Sequence, residues 1–437
     1  MVLNSARAFI LYPVAEGLLK RDIRSKLKAL RAFQQQSPEE RRLRQKQQLA
    51  NIVAHAGAHV PYYRDLFRSI GFSPERLEVS SDYLQEIPPL TKDILREQGV
   101  RMVDERLDAN SLKVRQTNGS TGLCTTIWYD QESLDWTAAV NLFASELSDS
   151  DLAKTKVHLG SEFFDSPSAK EALVEKIRAW SLNRVVIRTH AFDKANLDKL
   201  LQQLRRAKPH AVYAHPSAIY LLALHARDTG HNVRGLFSVF QSAGESLEAA
   251  KLRVIEETFS CRVFNRYGNA EFGALAQSSG AYDELEIIEG IVYPESHSLG
   301  NGLDEIVLTG LANTSMPLIR YRTGDVGSVI TKNGRQMIKQ LTGRVHDIVE
   351  LNGQPYPTHY IRDILERLGG TDEFQIVQRP ASNVAMLKIV PNQKFNRPQV
   401  ESRINELFGS ALKVETIGFD GLIMQGWRDK FRYVVRR

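Results

Sequence analysis

Apolar positions in the first third of the chain recur at helical spacing. After Ser37, the residues Leu43, Leu49, Ile52, Val53 and Ala56 predict a helix that buries one stripe. Its start is written in Ser37-Pro38-Glu39-Glu40, an N-cap serine, a proline in the first helical position and a glutamate closing a capping box. Asn51 to Tyr63 and Ile87-Pro-Pro-Leu-Thr-Lys92 read as helix ends and an opening turn, so residues 1 to about 110 are expected to be mostly helical. From about 111 to 340 short apolar runs alternate with helical segments. Val185 to Ile187, Ala211 to Tyr213, Leu236 to Gln241 and Arg262 to Phe264 are the strands, which predicts an α/β domain with substantial parallel sheet. Glu305 to Thr309 and Val326 to Ile330 read as strands of a smaller β-rich subdomain. After Gly343 the chain restarts with a strand at Asp347 to Leu351, a turn at Asn352-Gly353, a helix from about His359 to Leu368 and a second β-α-β set. The expected architecture is therefore α/β: a large multi-layer domain over 1–343 and a small α+β domain over 344–437, with the boundary at Arg344 to Asp347. There is no internal repeat and no low-complexity tract.

With 437 residues, 42% of them hydrophobic, the chain is long enough for one large core and a smaller one. Cys124 and Cys261 stand far apart in no ligand pattern, which argues against a disulfide framework and fits a reducing, cytoplasmic setting. The longest apolar run, Ala8 to Leu19, is too short to cross a bilayer, contains Pro13 and Glu16, and lacks a cleavage-site pattern. Charge is uneven. Lys20 to Lys46 holds 10 Lys and Arg against 3 Asp and Glu, a local +7 in a chain of +6. Such an arm after an apolar stretch suits an anionic surface, so peripheral contact with the inner membrane face through residues 1–46 is a secondary expectation beside a solvated helix face. No specific nucleic acid is expected.

Three polar turns carry the candidate chemistry. Thr117-Asn-Gly-Ser-Thr-Gly122 is followed, about 150 and 205 residues on, by Tyr267-Gly-Asn-Ala-Glu271 and Tyr321-Arg-Thr-Gly-Asp325. Gly119 and Gly122 allow consecutive N–H groups to face one concavity, and Thr117, Ser120 and Thr121 add hydroxyls, a nest suited to polyphosphate. No Gly-Lys-Ser/Thr follows, so it is not a Walker loop. Ser242-Ala-Gly-Glu245 reads as a strand ending in a tight turn that exposes backbone to a flat ring. Tyr267 is placed to stack on a base, Glu271 to reach a metal, and Asp325, between strands, to accept from ribose hydroxyls. Singly, each is equally a plain turn. In this order and spacing they match what ATP-dependent activation of a carboxylate requires. His210, His215, His225 and His231 have no short ligand spacing and read as scattered structural histidines.

With these motifs the chain resembles the adenylate-forming, acyl-CoA synthetase-like superfamily, in particular its phenylacetate-CoA ligase and capsule-biosynthesis branch. The resemblance extends through Val60-Pro-Tyr-Tyr63, Pro88 to Lys92, Tyr213 to Ser217, Ser242 to Leu247, Met316 to Val329 and Gly343 to Asp347. It implies ATP, Mg²⁺ and coenzyme A as cofactors, with Thr117 to Gly122 on the β- and γ-phosphates, Ala243, Gly244, Glu245 and Tyr267 at adenine, Glu271 on Mg²⁺, and Asp325 and Arg344 on the ribose. Lys430, in Asp429-Lys430-Phe431-Arg432, matches the family's mobile catalytic lysine, and the small domain is implied to swing about Arg344 to His346. The implied partners are a small carboxylic acid and the thiol of coenzyme A or of a carrier protein. Acid-pocket residues are expected in Ser161 to Phe164 and Tyr213 to Ser217. Ala270 replaces the usual Thr or Ser, Leu123-Cys124 the usual Pro and basic residue, and His346 the usual hinge Asp or Lys. Transfer to a carrier protein, sugar or amine remains open, as does a silent nucleotide-binding scaffold.

Overall fold

The computed structural model describes residues 2–118, 124–160, 169–188, 194–245, 247–279, 284–300, 303–344, 348–352, 354–358, 361, 364–365, 368–379, 382, 384–425 and 430–437. Helical segments fill its first third: α1 (Val2–Ala6), a π-helical turn (Arg7–Leu11), α2 (Tyr12–Leu18), α3 (Ile23–Gln35), α4 (Pro38–His59), α5 (Pro61–Ile70), α6 (Arg76–Val79) and α7 (Lys92–Gln98). The capping box opens α4. Ser37 Oγ accepts the Glu40 N–H at 3.2 Å and the Glu40 carboxylate accepts the Ser37 N–H at 2.8 Å, which holds that carboxyl below its ordinary range. Leu43, expected in the buried stripe, is instead 70% exposed. The inward row is Arg41, Gln45, Leu49, Val53 with Ile52 and Ala56, and residue 43 lies half a turn away from it. Arg41 and Gln45 are tolerated inside because Arg41 pairs with Glu289 at 3.0 Å while Gln45 donates to the Val292 carbonyl at 2.9 Å.

A two-stranded hairpin, β1 (Lys113–Asn118) and β2 (Cys124–Tyr129), leads into α8 (Gln131–Leu147). Strands and helices then alternate as expected: β3 (Lys156–Gly160), α9 (Ala169–Ser181), β4 (Arg184–Arg188), α10 (Lys194–Ala207), β5 (Ala211–Ala214), α11 (Pro216–Asp228), β6 (Val239–Ala243), α12 (Ala249–Phe259) and β7 (Arg262–Asn269). β3 pairs in parallel with both β4 and β5, and β5, β6 and β7 continue the parallel set. Antiparallel strands extend it: β8 (Gly273–Ser278), β9 (Glu284–Ile287), β10 (Val292–Gly300), β11 (Leu303–Gly310), β12 (Tyr321–Lys332) and β13 (Arg335–Arg344). They give one 11-stranded order, β10-β11-β12-β13-β9-β8-β7-β6-β5-β3-β4. Tyr321 to Asp325, expected between strands, lies inside β12. Gly324 takes φ +77° there without ending the strand.

The chain forms two compact units, the smaller comprising Thr342–Arg437 with the short segment Gly324–Val326. Within the smaller unit lie β14 (Ile348–Leu351), β15 (Gln354–Pro357), β16 (Thr371–Gln378), β17 (Ala385–Pro391), α13 (Arg397–Phe408), β18 (Leu412–Thr416), β19 (Met424–Gln425), β20 (Lys430–Phe431) and β21 (Val434–Arg436). Its four-stranded sheet, β18-β17-β16-β21, packs Phe374, Ile376 and Leu387 against Ile404 and Phe408 of α13. The helix expected near His359 to Leu368 falls largely outside the described residues.

In the larger unit three apolar clusters seal the layers. Leu49, Val53, Tyr63 and Phe67 pack with Tyr129 and Tyr321; α10, α11 and α12 cover β3, β5 and β6; and α3 and α8 cover β8 and β9. Part of the basic arm is tied to this packing by ion pairs, although most of its basic residues stay exposed. Arg21 pairs with Asp135, Arg31 with Glu146 and Arg41 with Glu289. Among the described residues no helix is long and apolar enough to cross a membrane.

Lys156, at the start of β3, is buried, and desolvation together with Arg266 pushes its ammonium down from 10.5 to about 8. The sign follows from proton counting: between about pH 8 and 10.5 the unfolded chain still holds a proton that the folded chain has released, so stability rises with pH across that window. Lys156→Met should remove this rise and stabilise the protein near neutral pH by on the order of 3 kcal/mol. Denaturant unfolding from pH 7 to 11 measures it; parallel curves for the two proteins would contradict the assignment.

Candidate active site

Parallel strands present their carboxyl ends on one side of the sheet, where the connecting turns are free to meet a ligand. β6 ends at Ala243 and β7 at Asn269, and the two strands pair directly, with Ala243 opposite Arg266. The expected adenine turn and the expected metal residue therefore follow the ends of neighbouring strands. Gly244 takes φ +83°, and a Cβ there would lie 2.5 Å from Cε1 and 2.7 Å from Nδ1 of His215. Glycine is required for both reasons. His215, at the N-terminus of α11, also faces Glu245, with Nδ1 3.9 Å from its carboxylate. Tyr267 is buried within β7.

Glu271 is held from two directions. The turn after β7 is closed by Asn269, whose Oδ1 accepts the Phe272 N–H at 3.0 Å. Tyr129, ending β2, shares its hydroxyl proton between the carbonyls of Ala270 at 3.0 Å and Glu271 at 2.8 Å. Tyr321, opening β12, donates to Glu271 Oε1 at 2.7 Å. Burial raises the Tyr129 phenol above its ordinary value, so it remains a neutral donor. Tyr321 is itself fixed by a bridge to the Ile87–Lys92 turn: Leu90 N–H donates to the Arg320 carbonyl, and Arg322 N–H to the Leu90 carbonyl, both at 2.9 Å. Sequence reasoning missed this pair of tyrosines. Tyr321 stood at the head of a motif and so carried a signal, whereas Tyr129 had none beyond ending an apolar run.

These donors suit magnesium. Glu271 offers a buried hard oxygen, with Oε1 occupied by Tyr321 and no described group donating to Oε2. Mg²⁺ is commonly held by one or two carboxylates with substrate phosphates completing its shell. A cleft of about 30 Å³ opens beside Glu271, bordered by Trp136, Thr137, Phe272 and Asn313, with room for about two waters.

A second polar group lies within the sheet. His158, Tyr213 and Gln241 occupy one register across β3, β5 and β6, with the His158 and Tyr213 rings 4.9 Å apart and the Arg266 guanidinium 5.4 Å from the Tyr213 ring. Burial, reinforced by Arg184, Lys156 and Arg266, pushes His158 well below the ordinary histidine value, so it is neutral. Of the expected acid pocket, Tyr213 joins this group, whereas Ser161 to Phe164 lie outside the described residues.

The other expected site residues are distributed as follows. Thr117 is in β1 with its side chain outside the description, and Gly119, Ser120, Thr121, Gly122 and His346 lie outside the described residues altogether. Asp325 is buried in β12 and Arg344 ends β13. Lys430 opens β20, paired with Gln425. Two histidines read as scattered converge after all: Nε2 of His225 and of His231 lie 2.8 and 3.2 Å from Asp198 Oδ1, and both hydrogen bonds hold that carboxyl below its ordinary range. The i,i+6 spacing across the end of α11 concealed the pair, and Asp198 comes from α10.

No family model matches the chain. Protein CapK of Staphylococcus aureus is 22% identical over 359 residues, covering 80% of this chain and 78% of its own length. Phenylacetate-coenzyme A ligase of Pseudomonas putida is 25% identical over 345 residues, covering 74% and 75%. Among solved structures, 2-hydroxyisobutyryl-CoA ligase in the postadenylation state in complex with R3-HIB-AMP superposes with a TM-score of 0.72 at 21% identity, covering 91% of this chain and 90% of its own. ATP-bound MatB from Rhodopseudomonas palustris gives 0.52 at 16%, covering 74% and 67%. The chain is thus similar in sequence to CapK and the phenylacetate-coenzyme A ligases, and it shares the fold of the adenylate-forming 2-hydroxyisobutyryl-CoA ligase.

Two substitutions test the site's construction. Tyr321→Phe deletes a buried bond to a carboxylate and should lower the unfolding free energy by about 1–3 kcal/mol. Gly244→Ala combines positive φ with a clash at His215 and should cost about 1–3 kcal/mol. Urea unfolding checks both, and wild-type midpoints would show that neither contact shapes the fold.

Proposed function

We propose that the protein activates a small carboxylic acid with ATP, forming an acyl-adenylate and pyrophosphate, and then passes the acyl group to a thiol, that of coenzyme A. The observation carrying this reading is the convergence of Tyr129 and Tyr321 on Glu271, which couples two of the three motifs at one buried carboxylate. The names of the relatives support it: phenylacetate-coenzyme A ligase by sequence and 2-hydroxyisobutyryl-CoA ligase by fold.

The chemistry needs no general base, because an acid with a pKa of roughly 4 is already ionised at neutral pH. Repulsion between two anions is the obstacle, and positioning with charge neutralisation is the remedy. A carboxylate oxygen attacks the α-phosphorus, the bond to the β-phosphate oxygen breaks, and pyrophosphate leaves. Glu271 would hold Mg²⁺, which when bound supplies positive charge to the phosphates. Amides of Gly119 to Gly122 would cradle the β- and γ-phosphates, and Ala243 to Glu245 with Tyr267 would receive adenine. Asp325 and Arg344 would bind the ribose. Lys430, on the smaller unit, would offset the charge of the adenylation transition state and withdraw through motion at His346 before the thiol step. The sulfur then attacks the acyl carbon, AMP departs, and the thiol proton passes to solvent.

Exchange of labelled pyrophosphate into ATP over a panel of aryl and aliphatic acids, followed by addition of coenzyme A, is the direct assay. At least one acid should drive exchange, and coenzyme A should convert its adenylate to a thioester. An adenylate that persists with coenzyme A would reassign the acceptor to a carrier protein, sugar or amine. ATP binding without exchange for any acid would leave a silent scaffold. Lys430→Ala is expected to abolish exchange while sparing thiolysis of supplied acyl-adenylate; normal exchange would remove Lys430 from the mechanism. His346→Pro should impair the thiol step more than adenylation, and equal loss in both half-reactions would count against a hinge there.

A further inference from the structure

The helical start of the chain is amphipathic with both faces accounted for except one. Inward, Ala8 and Tyr12 pack on Leu152 and Leu182, while Glu16 accepts the Arg24 backbone N–H at 2.7 Å and pairs with its guanidinium. Polar contacts fasten the segment to its neighbours. Asn4 donates to Thr155 Oγ1 at 3.0 Å, Asn183 donates to the Asn4 carbonyl at 2.9 Å, and the Arg7 guanidinium lies 4.7 Å from the Trp180 ring. The inner side is therefore satisfied within the fold.

The outer side is apolar. Phe9, Ile10, Val14 and Leu18 are 69%, 61%, 56% and 80% exposed, and α9, packed alongside, adds Ile177 and Trp180 at 52% and 47%. Large side chains this exposed and this close together mark an interaction surface. Its charge favours an anionic occupant. The two segments, residues 2–20 and Ala169–Ser181, carry five Lys and Arg against three Glu, and Glu16 is buried and neutralised by Arg24. Arg7, Lys20, Lys176 and Arg178 thus accompany an aliphatic and aromatic face, the composition of a helix lying in the headgroup–acyl boundary. Farther along the arm, Arg21, Arg31 and Arg41 are taken up by internal pairs. Apolar insertion, with charge in a supporting role, is the consequence.

We propose that this face docks the protein peripherally on an anionic lipid bilayer, independently of the adenylation reading. Sedimentation of the full chain with phosphatidylcholine vesicles, with and without phosphatidylglycerol, tests it. The wild type should bind the anionic vesicles, and F9S/L18S should lose roughly a hundredfold in partitioning, since two large apolar side chains no longer enter the interface. Lys20→Glu with Lys176→Glu should weaken binding severalfold and flatten its salt dependence. Unchanged melting temperatures verify folding, and I10N/V14N serves as a second apolar pair should F9S/L18S melt early. Absence of vesicle binding by the wild type, or wild-type binding by both apolar variants, would overturn the proposal. So would a dimer in sedimentation velocity that F9S/L18S dissolves while vesicles remain unbound, which would assign the face to a second copy of the chain.

Discussion

A buried phenol must give its proton to something, and in this protein two of them give it to the same residue. Tyr129 reaches the backbone of Ala270 and Glu271, and Tyr321 reaches the Glu271 side chain. Leaving either hydroxyl unmet in the interior would cost about 1–3 kcal/mol, so the two requirements fix both the path and the direction of a turn that would otherwise wander. They also couple three distant parts of the chain: the hairpin around the glycine-rich loop, the turn after β7 and the start of β12. The site inherits its rigidity from the core, because both tyrosines belong to the apolar cluster that includes Tyr63 and Phe67.

The same logic of paired polar groups governs the rest of the larger unit. Arg41 and Gln45 enter the interior only where Glu289 and backbone carbonyls receive them. The row of His158, Tyr213 and Gln241 is different in kind: it keeps a neutral imidazole and a buried guanidinium under the sheet's helical cover, close to where β3 and β5 diverge. Apolar surface is left exposed at the chain's beginning, at Phe9, Ile10, Val14 and Leu18.

Local signals in the sequence were reliable where the physics is local. The capping box at Ser37 and Glu40, the helical first third, and the alternation of strands and helices from Lys156 to Asn269 depend on neighbours within a few positions. Misreadings arose where a distant partner decides. Leu43 was assigned inward because leucine is apolar, yet Arg41 and Gln45 hold the inner row through residues near 290. The +7 arm is mostly exposed, as a solvated face would be, and only the distant acids Asp135, Glu146 and Glu289 that receive Arg21, Arg31 and Arg41 were hidden in one dimension. His225 and His231 looked scattered because Asp198, on another helix, is what joins them. Glu271 was legible as a candidate from its motif, but nothing local announced Tyr129.

Glu271, held by its two tyrosines, is the proposed site of the nucleotide's metal. A crystal structure with ATP and magnesium tests it most directly. The expected result is adenine over the Gly244 turn and the metal on Glu271, with the Tyr321 bond to Oε1 retained. A nucleotide bound elsewhere, or a metal held without Glu271, would contradict it.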